Sequence, residues 1–238
     1  MQEQSLETLK SEEDRIQAAY ARRQENNRYS LFNPGSLFMA QELERVLLAL
    51  LKRYDFETLG TTKILEVGCG TGYRIREFIK WGARPENVVG IDLLSDSVAR
   101  ARQSCPSTVR IDCGSAAHLA LPDATFDLVF QATVFTSILN ADMKQQIASE
   151  MLRVLKDDGL IFWYDYHVSN PWNHDVRGVK KREIYQLFPH CLIKLRRITL
   201  IPYITWRLAP YSWMSCYILS KIPWLCTHYL GVIKKLRR

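Results

Sequence analysis

Three glycines at two-residue spacing stand in Glu66-Val67-Gly68-Cys69-Gly70-Thr71-Gly72, directly after the apolar run Lys63-Ile64-Leu65-Glu66-Val67. Glycines there remove the Cβ atoms that would hold a ligand away from the backbone. The helix start beyond them offers free N–H groups. Asp92 ends a second apolar run, Asn87-Val88-Val89-Gly90-Ile91-Asp92, twenty-four residues after Gly68. A carboxylate at that point accepts hydrogen bonds from two adjacent ribose hydroxyls, which makes an adenosine-type cofactor the natural ligand. Nicotinamide and flavin enzymes place a diphosphate on a G-x-G-x-x-G turn. This chain instead has G-x-G-x-G preceded by Glu66, and Tyr73 occupies the register of the third glycine.

The elements that must position these residues alternate along the chain. Residues 5–25 are polar with a weak helical pattern (Leu6, Leu9, Ile16, Tyr20), and a turn-rich link over 26–35 follows. Ser36 is placed to cap a helix whose apolar residues Leu43, Val46, Leu47, Leu50 and Leu51 recur at helical spacing. Strands are expected at 63–67, 87–92, 108–112, 126–131 and 160–166, with helices over 73–81 and 95–103. A capping box of Asp142 and Gln145 opens the helix carrying Ile147, Met151, Val154 and Leu155, and Asp157-Asp158-Gly159 reads as the turn after it. Short apolar strands alternating with helices mean a parallel sheet covered on both faces. Beyond it the pattern predicts a helix over 179–188, a strand over 191–201, one or two proline-bounded helices in 203–222 and a last strand over 225–234.

At 238 residues, with 47% hydrophobic and 24% charged residues, the chain has the composition of one globular domain. No uncharged apolar stretch is long enough to span a bilayer, and Met1–Arg15 has no apolar core of a secretory signal, so a cytoplasmic setting is expected. The six cysteines form no C-x-x-C pair, so neither a metal site nor a disulfide framework is suggested. The net charge of +7 hides an asymmetry. Residues 176–238 carry thirteen Lys or Arg and one acid, Glu183, whereas residues 1–175 sum to −5. That basic third is also aromatic (Trp206, Tyr211, Trp213, Tyr217, Trp224, Tyr229), which suits a phosphate-bearing molecule, a nucleic acid or anionic lipid headgroups, or else is simply a solvated basic face.

Over residues 28–170 the sequence resembles the class I S-adenosylmethionine-dependent methyltransferases of the small "type 11" kind. The resemblance rests on the glycine loop, Asp92, Gly114-Ser115-Ala116-Ala117-His118-Leu119 and Pro122-Asp123-Ala124-Thr125-Phe126-Asp127. Two departures stand in it: Ala120 replaces a usual proline, and Ser115 replaces a frequent aspartate. The resemblance implies an α/β, Rossmann-like fold: a seven-stranded, mostly parallel sheet with helices on both faces, N-terminal helices and a C-terminal helical insertion at about 202–224. It divides one domain into an N-terminal helical lid (1–55), a cofactor-binding core (60–170) and an acceptor-side region (171–238). It also implies S-adenosyl-L-methionine as cofactor, with Glu66, Gly68, Gly70 and Gly72 on the methionine and ribose side. Asp92 would hold the ribose, Leu93, Ser115 and Ala116 the adenine, Gln131 the methionine portion, and Tyr29 would fold over the cofactor.

Methyl transfer is an in-line displacement at a sulfonium-activated carbon, and a hydroxyl acceptor also needs a base. That base is expected beyond strands four or five, where His167 and Asp165 stand in Asp165-Tyr166-His167. Phe135, Trp163, Tyr166 and Trp172 are candidate walls of an acceptor pocket, and Arg177 a candidate partner for an acceptor phosphate or carboxylate, or for an acid of the chain itself. No metal is required. The segments Asn170-Pro171-Trp172-Asn173 and Thr227-His228-Tyr229-Leu230 also resemble bacterial methyltransferases of glycan and natural-product biosynthesis. A small-molecule acceptor, anionic or lipid-linked, is therefore expected, with peripheral membrane contact through the basic aromatic region. The alternatives are an RNA methyltransferase, for which the chain shows no RNA-binding module, and a non-catalytic cofactor-binding protein.

Overall fold

The computed structural model describes residues 2–22 and 30–236. Its centre is a seven-stranded sheet in the order β3-β2-β1-β4-β5-β7-β6. The strands are β1 (Ile64–Val67), β2 (Val88–Asp92), β3 (Arg110–Cys113), β4 (Phe126–Ala132), β5 (Leu155–Tyr166), β6 (Cys191–Leu200) and β7 (Cys226–Lys235). β1 to β5 run parallel, and β7 is antiparallel to both of its neighbours. The Rossmann-like α/β expectation therefore holds, and strand order reverses between β1 and β4, the place where open α/β sheets leave a crevice.

The helices are α1 (Gln2–Ala21), α2 (Pro34–Arg53), α3 (Tyr73–Lys80), α4 (Ser95–Ser104), α5 (Ala141–Val154), α6 (Lys181–Leu187), α7 (Pro202–Leu208) and α8 (Trp213–Leu219). All four residues of β1 are buried, as a central parallel strand with a covered face on each side requires. On one face Leu43, Leu47 and Leu51 of α2 and Ile75 and Phe78 of α3 pack with Ile64, Leu128, Phe130 and Phe162. Each such side chain stabilises the fold by roughly 1.5–3 kcal/mol on burial. On the other face α1, α5 and α6 cover Leu65, Val67, Val129, Ile161 and Trp163.

Two helix starts differ from the sequence expectation. Asn33, not Ser36, caps α2: its side chain accepts from the N–H groups of Gly35 and Ser36, and Pro34 supplies the first turn. Ser36 is inside the helix, and its hydroxyl accepts from the Trp206 indole at 3.1 Å. Asn140, not Asp142, caps α5, accepting from Met143 N at 2.8 Å. Both caps sit where the backbone is still extended, which decides which oxygen reaches the free N–H groups. The Asp157-Asp158-Gly159 turn is instead a bulge inside β5: Phe126 pairs with Leu155, but Leu128 pairs with Leu160.

Two further features shape the crevice end of the sheet. α1 is tied to the segment after β4: Arg15 donates to Ser137 O, and Glu12 accepts from Leu139 N and Asn140 N. Between Leu200 and Cys226, which face each other across β6 and β7, the chain leaves the sheet as α7 and α8.

Candidate active site

The glycine loop runs off the end of β1 with Gly68, Gly70 and Gly72 all at positive φ. At Gly68 a Cβ would stand 2.3 Å from a Val134 methyl, so glycine there is a packing requirement. At Gly70 a Cβ would meet nothing within 4 Å, because the position faces open space in a crevice. Asp92, at the end of β2, braces this loop. Its Oδ2 accepts from Gly70 N at 2.8 Å and its Oδ1 from Leu94 N at 2.9 Å. Each carboxylate oxygen keeps a second lone pair for a ligand. Burial raises the Asp92 pKa, against the pull of the backbone N–H groups.

The crevice has a volume of ≈ 250 Å³. Gly68, Gly70, Asp92, Leu93, Ser115 and Ala116 line it, so one cleft unites six of the expected cofactor residues. The Ser115 hydroxyl accepts from Ala117 N at 3.3 Å, which holds the turn after β3 in place. Glu66 lies behind the loop, with its Oε2 buried and without a partner. Burial pushes its pKa up to about 8; Arg74 opposes the rise and Asp92 adds to it. Gly72 is likewise outside the cleft, where a Cβ would stand 2.6 Å from Cys105 Sγ. Tyr29 lies outside the described residues.

Several expected residues have other tasks. Gln131 is fully buried; its amide donates to Tyr164 O and its carbonyl accepts from Val134 N, so it braces the β4 loop and does not line the cleft. Asp165 is no free base. Its carboxylate accepts from Phe135 N, Thr136 N, Tyr166 N and the Thr136 hydroxyl, capping the short helical turn Phe135–Ser137. Burial pushes its pKa up to about 7 despite those four donors. His167 spends Nε2 on the Cys226 carbonyl at 2.9 Å and lines no part of the cleft. Phe135 is a core residue tilted against Trp163 at 4.5 Å, and both are fully buried. Trp172 is 89% exposed and does not line this crevice. Arg177 pairs with Glu183 at 3.6 Å, while Asp175 belongs to Arg22. Tyr166 lies against His228 with centroids 3.7 Å apart, and burial pushes that histidine down to about 3.

The structure adds residues that were not expected at the cleft. Ile16 and Tyr20, one turn apart on α1, line it, as do Thr133, Val134, Ser137 and Ile138 after β4 and Met143 and Ile147 on α5. Thr133 holds φ +57, a conformation costly for a β-branched residue, while its N–H donates to Tyr164 O. The Ile16–Tyr20 pair was visible in the sequence as a helical repeat; nothing local marked which sheet face it would meet.

Residues 64–159 match the family model described as a methyltransferase domain. That stretch is a methyltransferase domain. It runs from the start of β1 into the bulge of β5 and holds the glycine loop, Asp92 and the turn at Ser115. The "probable methyltransferase ltbC" of Aspergillus luteorubrus is 32% identical over 125 residues, 48% of this chain and 41% of that protein. The tRNA N(3)-methylcytidine methyltransferase trm140 of Schizosaccharomyces pombe is 31% identical over 147 residues, 56% of this chain and 46% of that protein. The chain thus spans less than half the length of these curated relatives. A crystal structure of an S-adenosylmethionine-dependent methyltransferase from Methanosarcina mazei shares the fold, with a TM-score of 0.56 at 16% identity over 79% of this chain and 98% of that one.

The cofactor of such a methyltransferase domain is S-adenosylmethionine, and the residues fit it. A cradle that a Cβ would fill and a braced carboxylate on its rim fit a nucleoside with an amino-acid tail, whereas a diphosphate would face that acid.

Proposed function

We propose that the chain transfers the methyl group of S-adenosylmethionine to a hydroxyl of a small molecule, a sugar, a lipid-linked glycan or a natural product. The observation that carries the reading is the single crevice joining Gly70, Asp92, Leu93 and Ser115 to the hydroxyl-bearing wall of Thr133, Ser137 and Tyr20. The bound cofactor supplies a methyl group already activated by positive sulfur. The chain supplies position: Asp92 fixes the ribose, and the Gly70 backbone admits the amino-acid tail. Ile16, Val134, Ile138 and Met143 form an apolar wall that limits water at the reacting carbon. The Tyr20 and Ser137 hydroxyls, 3.1 Å apart, orient an acceptor hydroxyl at the same wall. Among the lining residues only Asp92 and Tyr20 carry ionisable side chains, so within these acceptor classes a natural-product phenol or enol, which needs no strong base, suits the site better than a sugar hydroxyl.

A second reading, methyl transfer to RNA, draws on the tRNA-modifying relative and on the +12 charge of residues 176–238. Purified protein, methyl-labelled cofactor and total cell extract separate the two. Label in an organic-soluble or glycan fraction is the expected result. Label in an RNase-sensitive fraction overturns it in favour of RNA. Tight binding of S-adenosylhomocysteine with no label in any fraction overturns catalysis itself.

A further inference from the structure

We propose that the α7–α8 excursion is a docking surface for an anionic lipid bilayer. This goes beyond the methyl-transfer reading and does not depend on it. Nearly half of the large hydrophobic residues exposed among the described residues fall between 203 and 224. Tyr211 is 88%, Trp224 85%, Met214 67% and Ile218 58% exposed. A soluble surface tolerates single exposed apolar side chains, but a contiguous set marks an interaction site.

The excursion is firmly seated, so this exposure is not a matter of loose packing. Phe38, Leu200, Ala209 and Cys216 form a small core of their own beneath it. Phe38 meets Trp213 edge to face at 5.7 Å, and the first turn of α2 packs so closely on α7 that a Cβ on Gly35 would stand 2.7 Å from Trp206 Cα. Phe32, just before α2, is 100% exposed as well.

Charge selects the occupant. No acid stands between residues 184 and 236, and the two cations of the excursion lie over its tyrosines: Arg207 over Tyr203 at 5.2 Å and Lys221 over Tyr217 at 4.2 Å. Exposed Lys194, Arg196 and Arg197 on the edge strand β6 continue the positive field. Aromatic rings and aliphatic side chains ringed by a few cations match the headgroup layer of an anionic membrane. A nucleic-acid surface would invert the proportion, with many cations and few aliphatic side chains. No helix among the described residues is long and apolar enough to cross a membrane, so the contact is peripheral. The excursion leaves the sheet at the carboxyl end of β6, beside the end of β5, so docking brings the crevice end of the sheet towards the lipid.

The test is co-sedimentation of the full chain with vesicles of phosphatidylglycerol and phosphatidylcholine, set against vesicles of phosphatidylcholine alone. Binding to the anionic vesicles, weakened by salt, is expected. The triple variant Met214→Ser, Ile218→Ser, Trp224→Ser is expected to lose about tenfold or more in partitioning, and Arg207→Glu with Lys221→Glu a similar factor. Both variants should keep their affinity for S-adenosylhomocysteine, since none of these side chains lines the crevice. No binding to anionic vesicles overturns the proposal, as does binding that the triple variant leaves unchanged. A wild-type dimer in light scattering that the triple variant converts to a monomer assigns the surface to a second copy of the chain instead. RNA binding that the same variant abolishes, without vesicle binding, assigns it to nucleic acid.

Discussion

Asp92 Oδ2 accepts a hydrogen bond from the Gly70 backbone N–H at 2.8 Å, so one carboxylate shapes the loop that follows β1 while standing at the end of β2. The Asp92 carboxylate and the glycine loop are therefore a single unit. Asp92→Ala is expected to weaken S-adenosylhomocysteine binding by ~1.5–3 kcal/mol, the worth of hydrogen bonds to a charged group. Calorimetry decides it, and an unchanged affinity removes Asp92 from the ribose.

Gly70 and Gly68 are expected to fail in different ways. Gly70→Ala costs about 1 kcal/mol of stability, because alanine must take φ +51, but the new methyl group enters the cleft and displaces ligand. Gly68→Ala drives its methyl into Val134 and lowers stability by several times as much. Thermal melts with and without S-adenosylhomocysteine separate the two. Ligand protection should vanish in folded Gly70→Ala.

Glu66 makes the ligand-free protein sensitive to pH. Its carboxyl rises from 4.5 in a free chain to about 8 when buried. Between those values the folded state holds a proton that the unfolded state has released, so stability falls as pH rises through that window. Glu66→Gln removes this term, and its advantage over wild type should grow by ~2 kcal/mol or more from the acid to the alkaline side. Urea unfolding at several pH values measures the difference. Parallel curves for the two proteins would mean that Glu66 is ionised throughout.

Asp165 and His167 separate structural from catalytic loss. Asp165→Ala strands buried donors at Phe135, Thr136 and Tyr166 and should cost ~3–5 kcal/mol in unfolding free energy. His167→Ala forfeits one bond to Cys226 O, ~1 kcal/mol, and should leave methyl transfer near its wild-type rate. A well-folded His167→Ala protein that binds cofactor but has lost turnover would restore this histidine as the base.

Local chemistry wrote much of the molecule into the sequence. A short buried run such as Ile64–Val67 has nowhere to go but a sheet covered on both faces, and three glycines before a helix, followed by Asp92 at the end of the next strand, point to an adenosine-type ligand. The glycine loop and the carboxylate of Asp92 were legible because each is set by backbone geometry within a few residues, whereas the turn at Ser115 was legible only through the resemblance to methyltransferases. The caps at Asn33 and Asn140 were misplaced by a few positions, since a cap depends on where the backbone turns extended and several neighbouring residues carry a suitable oxygen.

What only the tertiary structure decided is which polar groups remain free. In sequence, Asp165, His167, Gln131 and Arg177 are all able to do chemistry near the end of β4 or β5. Folding brings Phe135 N and Thr136 N to Asp165, Cys226 O to His167, Val134 N to Gln131 and Glu183 to Arg177, from segments up to fifty-nine residues away. A buried donor or acceptor must find a partner, and these pairings, some local and some distant, engage the groups that composition alone leaves available. The same packing seats the α7–α8 excursion and turns its aromatic face outward, a surface that residue order alone does not distinguish from a core.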